Sequence, residues 1–288
     1  MKHAPAEGVT RASAHLPVGF ACVPVRTPTL PPATHTNCWL VGQGLISVFD
    51  PASPYEDEQR LLARTLQARI AGGEAVERIV LTHHHHDHIA GAAALRDIIG
   101  SEIPILAHAE TARRIAEDIR IDATLADGER LECGSVTLDT LHTPGHAPGH
   151  LAFRSTDGAA VIAGDLVAGV GTILIDPRDG HLTQYLDSLE RVRALGTERL
   201  LPAHGPVLTH PDAVLKMYVA HRHHRTEQIR TALHHLGTRM AADLVPIIYP
   251  ELPREMALVG EAQITSHLRY LVGLGLVRRE GQYWMLDP

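Results

Sequence analysis

Along the first two thirds of the chain, short apolar runs with β-branched residues alternate with stretches in which apolar positions recur at helical spacing. The pattern predicts strands at 38–41, 45–49, 78–81, 105–107, 136–141, 151–154 and 160–162. It predicts helices at 55–70, where Leu61, Leu62, Leu66 and Ile70 recur, and at 182–194. Glycine-bearing segments at 42–44, 157–158 and 179–180 read as turns between these elements. Mixed strands and helices on this scale imply a layered α/β domain.

The pattern changes near Pro211. Helical periodicity takes over at 213–236, 240–248 and 261–274, and a β-prone pair closes the chain around a turn at 279–282. Three helices followed by a hairpin is the order of a winged-helix module. The expected organisation is therefore a mobile leader over 1–20, a catalytic domain over 21–210 and a winged-helix-like domain over 211–288. The tail helices carry apolar surface, such as Leu244, Ile247, Ile248, Leu268, Leu271 and Leu274, and most of it is expected to build the small domain's own core.

Composition narrows the function classes. No apolar run approaches the ~18 residues of a membrane-spanning helix, and the start lacks the apolar block of a secretory signal. Cys22, Cys38 and Cys133 are odd in number and widely spaced, which argues against a disulfide scaffold and makes the cytoplasm the default compartment. The net charge of −7 opposes nucleic-acid binding by bulk electrostatics. From Ala213 onward there are 9 Lys/Arg against 7 Asp/Glu, so the tail is weakly basic while the rest is acidic. Histidine is the outlier at 21 residues, and metal binding is the leading explanation for that excess.

Four segments could supply the ligands. The apolar run Ile79-Val80-Leu81 ends in Thr82-His83-His84-His85-His86-Asp87-His88. Two His-x-His registers are available, and only the one starting at His83 places Asp87 and His88 four and five positions later. In that register His83 and His85 address one cation, while Asp87 and His88 face a second about 3.5–4 Å away. His146 sits in a Pro/Gly loop between His142 and His150, which suits a pre-organised ligand; His142 and His150 read as supporting groups. Asp165 ends the apolar run Val161–Gly164, where a carboxylate is expensive to bury without a cation, and its two oxygens could bridge two ions. His204 ends a further short strand. Imidazoles with carboxylates suit zinc first, with iron and manganese also accepted.

These motifs, in this order, resemble the metallo-β-lactamase-fold hydrolases. The resemblance rests on the His83–His88 run, Thr143-Pro144-Gly145-His146, Gly164-Asp165 and Ala203-His204-Gly205, with support from Asn37–Val41 and Phe49-Asp50-Pro51. It implies an αββα sandwich with His83, His85 and His146 on one divalent ion, Asp87, His88 and His204 on the other, and Asp165 bridging. Aspartate at 165 resembles the glyoxalase II-like branch, and the tail is similar to the β-lactamase-like group with a C-terminal winged helix. That group includes a mitochondrial endoribonuclease and fungal thioesterases.

The implied chemistry is hydrolysis by a hydroxide shared between two ions, with Asp87 orienting it and shuttling its proton. Three readings follow. The first is hydrolysis of a small-molecule ester, thioester or lactone, with the tail covering the site or forming a homodimer. The second is cleavage of single-stranded RNA, with Arg222, Arg225 and Arg230 along its path; the 4% of aromatic residues offers few stacking platforms for it. The third is a DNA-binding regulator whose recognition helix, 261–274, would present Glu261, Gln263, Thr265, Ser266, His267 and Arg269.

Overall fold

The computed structural model describes residues 9–10 and 16–287. Its described residues fall into two compact units, one built from those up to 143 with 149–173 and 192–214, the other from 144–148, 174–191 and 215–287. In chain order the first carries β1 (Val9–Thr10), β2 (Phe20–Arg26), β3 (His35–Val41), β4 (Leu45–Phe49), α1 (Glu56–Ala71), β5 (Ala75–Val80), α2 (His86–Ile89) and α3 (Ala92–Ile99). It continues with β6 (Ile105–Ala107), α4 (Ala109–Arg114), β7 (Ala123–Thr124), β8 (Arg130–Cys133), β9 (Val136–His142), β10 (Leu151–Ser155) and β11 (Val161–Gly164). After α5 (Leu182–Ala194), β12 (Leu200–Pro202) and β13 (Val207–Leu208) complete its strands. The chain then runs through α6 (Pro211–Leu236), β14 (Arg239–Met240), α7 (Ala241–Ile248), α8 (Ala257–Gly273), β15 (Val277–Glu280) and β16 (Tyr283–Leu286).

Two sheets organise the first unit. One has the order β1-β13-β12-β11-β10-β9-β8, the other β2-β3-β4-β5-β6-β7. Strands β3 and β4 are buried along nearly their whole length because both faces of their sheet are covered. One face meets the other sheet through Trp39, Phe49, Val80, Leu138, Phe153, Ile162 and Leu201. The other face packs Ile46, Val48 and Ile79 against Leu62 and Leu66 of α1 and Leu95 of α3. Within α1 the buried stripe is Leu62, Ala63 and Leu66, whereas Leu61 and Ile70 lie at the exposed margin. Its first turn holds Glu56, Asp57 and Glu58 and its last turn Arg69, complementing the helix dipole.

Strand direction decides where chemistry can gather. β4, β5 and β6 run parallel, as do β11 and β12, so the carboxyl ends within each set share one edge. That edge is tied between the sheets by the Leu151 N–H donating to Thr82 O at 2.8 Å and the Asn37 N–H donating to Ala203 O at 2.7 Å.

Several elements escape the sequence pattern. β2 contains Pro24, which is tolerated because β2 lies at a sheet edge. β7 and β13 are only two residues long, and the eight-residue α3 is too short for a periodic signal. The expected leader over 1–20 falls largely outside the described residues; within it Val9–Thr10 pair with Val207–Leu208, and Leu16 and Phe20 pack against the inter-sheet core.

In the second unit, α6, α7 and α8 bury Ile229, Leu233, Leu244, Ile248, Ile264, Leu268 and Leu271 against Val277 and Trp284 of the three-stranded sheet β14-β16-β15. Most of the apolar tail surface is thus in this core, while Ile247 and Leu274 are exposed. His267 is buried between helices, its Nδ1 donating to Thr226 Oγ1 at 2.7 Å, since that hydroxyl already donates to Arg222 O. Burial first, then the nearby Arg222 and Arg225 guanidinium groups and His221 and His223, hold the His267 imidazole well below its usual value. Among the described residues no helix is long and apolar enough to cross a membrane.

Two stability predictions follow from these cores. Phe153 is fully buried with its ring 5.0 Å from that of Phe49, so Phe153→Ala should cost about 3–5 kcal/mol in denaturant unfolding. A cost under about 1 kcal/mol would contradict the inter-sheet core as described. His267 is neutral when folded, so its contribution is present above the unfolded-state value near ~6.5 and is lost as pH falls below it. Melting curves should show wild type losing stability on acidification more steeply than His267→Leu; parallel slopes would contradict this.

Candidate metal centre

Six of the seven expected ligands lie in the first unit, at the shared strand-end edge. β4 runs out into Asp50, β5 into Thr82-His83 and then α2, β11 into Asp165, and β12 into His204. His83 and His88 are fully buried, Asp165 and His204 nearly so, and Asp87 is half-buried. His83, His88 and Asp165 each place a ligand-capable atom within 4.8 Å of one another, as do Asp87, His88 and His204.

The imidazoles are oriented through their second nitrogens. His88 Nδ1 donates to Asp50 Oδ2 at 2.8 Å, and His204 Nδ1 donates to the His35 carbonyl at 2.9 Å. Thr82 Oγ1 donates to Asp50 Oδ2 at 2.7 Å, so it accepts from His83 Nδ1 at 3.0 Å. In the second unit His146 Nδ1 donates to Leu174 O at 2.8 Å. In all four rings the lone pair is thereby assigned to Nε2, the arrangement by which outer partners prepare histidine for a metal. His85 differs, presenting Nδ1 at 3.0 Å from His83 Nε2. Two nitrogens bound to one tetrahedral zinc at about 2.0–2.1 Å would be separated by about 3.3 Å.

Asp165 is the carboxylate between the imidazoles, with Oδ1 3.4 Å from His204 Nε2 and 3.6 Å from His88 Nε2. Its backbone N–H donates to His150 Nε2 at 3.0 Å, and His150 Nδ1 in turn donates to Thr143 Oγ1 at 2.8 Å. His150 is thus a support for Asp165. His142 stacks on His108 with centroids 4.3 Å apart. Asp87 Oδ2 lies 3.6 Å from His204 Nε2, and Thr36 Oγ1 donates to the Asp87 carbonyl at 2.9 Å. The His204 loop is held by Asn37 Nδ2, which donates to Pro202 O at 2.9 Å and Gly205 O at 2.8 Å. Of the remaining histidines in the run, His84 is half-buried and His86 exposed at the start of α2.

Electrostatics call for positive charge among these groups. Burial opposes a charge on His88 most strongly, yet Asp165 and Asp50 outweigh it and hold the imidazole well above its usual value. His204 is raised against the same burial penalty, chiefly by Asp165. Burial pushes Asp165 up, but His204 and His88 hold it well below the carboxylate range. Protonated imidazoles or a divalent cation satisfy the same demand. His88 Nε2 is buried and makes no hydrogen bond, as expected of an atom that faces a cation. The donor set therefore fits divalent metal ions.

Asp50 and Thr82 are the functional residues that ligand spacing alone misses. Their signal is nonetheless present: Asp50 ends the apolar run of β4 as Asp165 ends that of β11. Thr82 N–H and Oγ1 both donate to Asp50, at 2.7 Å each, so this buried carboxylate fixes the start of the histidine loop.

Comparison with known proteins identifies the family and the fold. Residues 31–204 match the metallo-beta-lactamase superfamily model, and residues 241–284 match the beta-lactamase associated winged helix domain. A beta-lactamase-like protein 2 homolog from Drosophila melanogaster is 26% identical, covering 84% of each chain. A hydroxyacylglutathione hydrolase from Acidiphilium cryptum is 33% identical over 60% of this chain and 65% of its own. An atrochrysone carboxyl ACP thioesterase from Aspergillus fumigatus is 26% identical over 77% of this chain and 70% of its own. A metallo-beta-lactamase family protein from Thermus thermophilus shares the fold, with a TM-score of 0.77 at 24% identity over 93% of this chain and 99% of its own.

The close packing behind Asp165 generates a prediction. Gly164 has φ +50°, and a Cβ there would lie 2.6 Å from His150 Nε2. Gly158 has φ +78° but would meet only the end of the Arg154 side chain at 3.6 Å. Gly158→Ala should cost about 1 kcal/mol for the left-handed backbone alone. Gly164→Ala should cost clearly more and weaken metal retention; equal unfolding energies with unchanged metal content would contradict the packing argument.

Proposed function

Because the chain belongs to the metallo-beta-lactamase superfamily, we propose that this centre holds two divalent metal ions, zinc first, and hydrolyses a small-molecule ester, thioester or lactone. The chain is a hydrolase of that fold, and the observation supporting a two-ion reading is Asp165, whose carboxylate lies among His83, His88 and His204 while Asp87 joins the latter two. Asp87, His88 and His204 would hold one ion and Asp165 would reach both. The superfamily match extends over His146 as well, so the proposed set counts it with His83 and His85 for the other ion.

When bound, two dications would bring the pKa of a shared water toward neutrality and polarise the scissile carbonyl. The chain's own groups do the rest. Asp87, half-buried and beside the buried His204, is placed to accept and return a proton during attack and collapse. Asp50 and Thr82 keep His83 and His88 in the tautomer that exposes Nε2 to the ion. The Asp165 N–H, bonded to His150 Nε2, fixes the backbone from which the carboxylate projects.

Relatives named as a hydroxyacylglutathione hydrolase and as a thioesterase support the acyl-transfer reading. The arginines considered for an RNA path support it less well. Arg222 is buried with its guanidinium over the Tyr185 ring, Arg225 bonds the Ile248 carbonyl, and Arg230 pairs with Glu227. The DNA-regulator reading is opposed by Gln263, Ser266 and His267, which are buried rather than presented to solvent.

The test is a parallel turnover screen of thioesters, esters, lactones, phosphodiesters and single-stranded RNA. The acyl substrates should be turned over preferentially, and His83→Ala should reduce that activity at least about 100-fold, since metal polarisation supplies several kcal/mol. Preferential cleavage of RNA that disappears in His83→Ala would replace this reading with the nuclease one.

A further inference from the structure

The polar face of α8 has no role in the chemistry described so far, yet Gln263 and Ser266 on that face are buried. Gln263, Ser266 and Arg269 recur at three-residue spacing, so they share one side of the helix. All three reach the same short segment of the second unit. The Ile175 N–H donates to Gln263 Oε1 at 3.5 Å, Ser266 Oγ donates to Ile175 O at 2.6 Å, and Arg269 donates to Pro177 O. Ile175 itself is fully buried.

The Ile175 N–H and the Leu174 carbonyl belong to one planar peptide group. Holding the N–H therefore fixes the direction of the carbonyl on its opposite side. That carbonyl accepts the Nδ1 proton of His146 at 2.8 Å. The path from α8 to the imidazole is one side-chain contact, one rigid peptide and one hydrogen bond.

The rest of the His146 loop is held just as closely. Ser188 Oγ donates to Pro144 O and the His181 N–H to Gly145 O, both at 2.8 Å. Gly145 has φ +131°, and a Cβ there would lie 2.2 Å from the Tyr185 nitrogen. The loop is pressed onto α5, whose Tyr185 ring lies beneath the Arg222 guanidinium of α6 at 5.2 Å.

We propose that Gln263, Ser266 and Arg269 are positioning residues for His146, so that the C-terminal helical module forms part of the metal-binding apparatus. The inference rests on the reading of His146 as a ligand. Its consequence is that metal affinity is set partly by α8, a helix that contributes no ligand of its own. Loss of an outer partner of a ligating histidine typically costs 10–100-fold in affinity.

The experiment measures zinc affinity by chelator competition for the full chain and for Gln263→Ala, Ser266→Ala, their combination, Ser266→Thr and His146→Ala. The combined variant should weaken one ion by about 10–100-fold and leave the other within about threefold. Ser266→Thr, which keeps the hydroxyl donor, should restore most of the affinity. Ring-nitrogen spectra of the metal-free proteins provide a second readout that needs no turnover. They should show His146 protonated at Nδ1 in wild type and as a tautomer mixture in the combined variant. Unchanged affinity and tautomer in that variant, with His146→Ala losing an ion, would overturn the positioning role alone. Retention of both ions by His146→Ala would overturn the ligand reading and the proposal with it.

Discussion

A carboxylate removed from water costs several kcal/mol unless hydrogen bonds or a cation replace the solvent. Asp50 and Asp165 are both buried, and each terminates an apolar strand. Everything else at the strand-end edge can be understood as a response to those two charges. Asp50 is satisfied by Thr82 and His88, which orders the histidine loop. Asp165 is satisfied on its backbone side by His150, while its Oδ1 faces the imidazoles of His88 and His204. One carboxylate thus organises the protein around the site, and the other supplies charge to the site itself.

The sheets make this possible. Parallel pairing within β4–β6 and within β11–β12 delivers successive strand ends to one edge, so short side chains from distant parts of the chain meet without long loops. Because both sheets are packed through large apolar residues such as Trp39, Phe49 and Phe153, the edge is rigid. Rigidity matters here because a metal site tolerates little positional error in its ligands.

Much of the site can be picked out from the chain before any fold is known. His83, Asp87, His88, Asp165 and His204 stand at the ends of apolar runs, where their residue types have no cheap structural purpose. Asp50 stands in the same position, but a single aspartate after a strand carries no spacing motif, so its contact with Thr82 emerges only when β4 and β5 pair in parallel. The tail was legible as three helices and a hairpin, but the use of its polar residues was not. Gln263 and Ser266 look like solvent-facing or nucleic-acid-reading groups in sequence, and only tertiary packing turns them inward toward Ile175. Arg222 illustrates the same limit, since periodicity cannot distinguish a guanidinium in water from one laid over Tyr185.

The central claim is that these buried histidines and carboxylates form a two-ion centre bridged by Asp165. Elemental analysis of the purified chain alongside Asp165→Asn tests it most directly, because asparagine keeps the shape and removes the charge. The account predicts close to two divalent ions per wild-type chain and a clear loss of metal in the variant, with the fold retained. Equal metal content in the two proteins, or none in either after saturation with zinc, would contradict it.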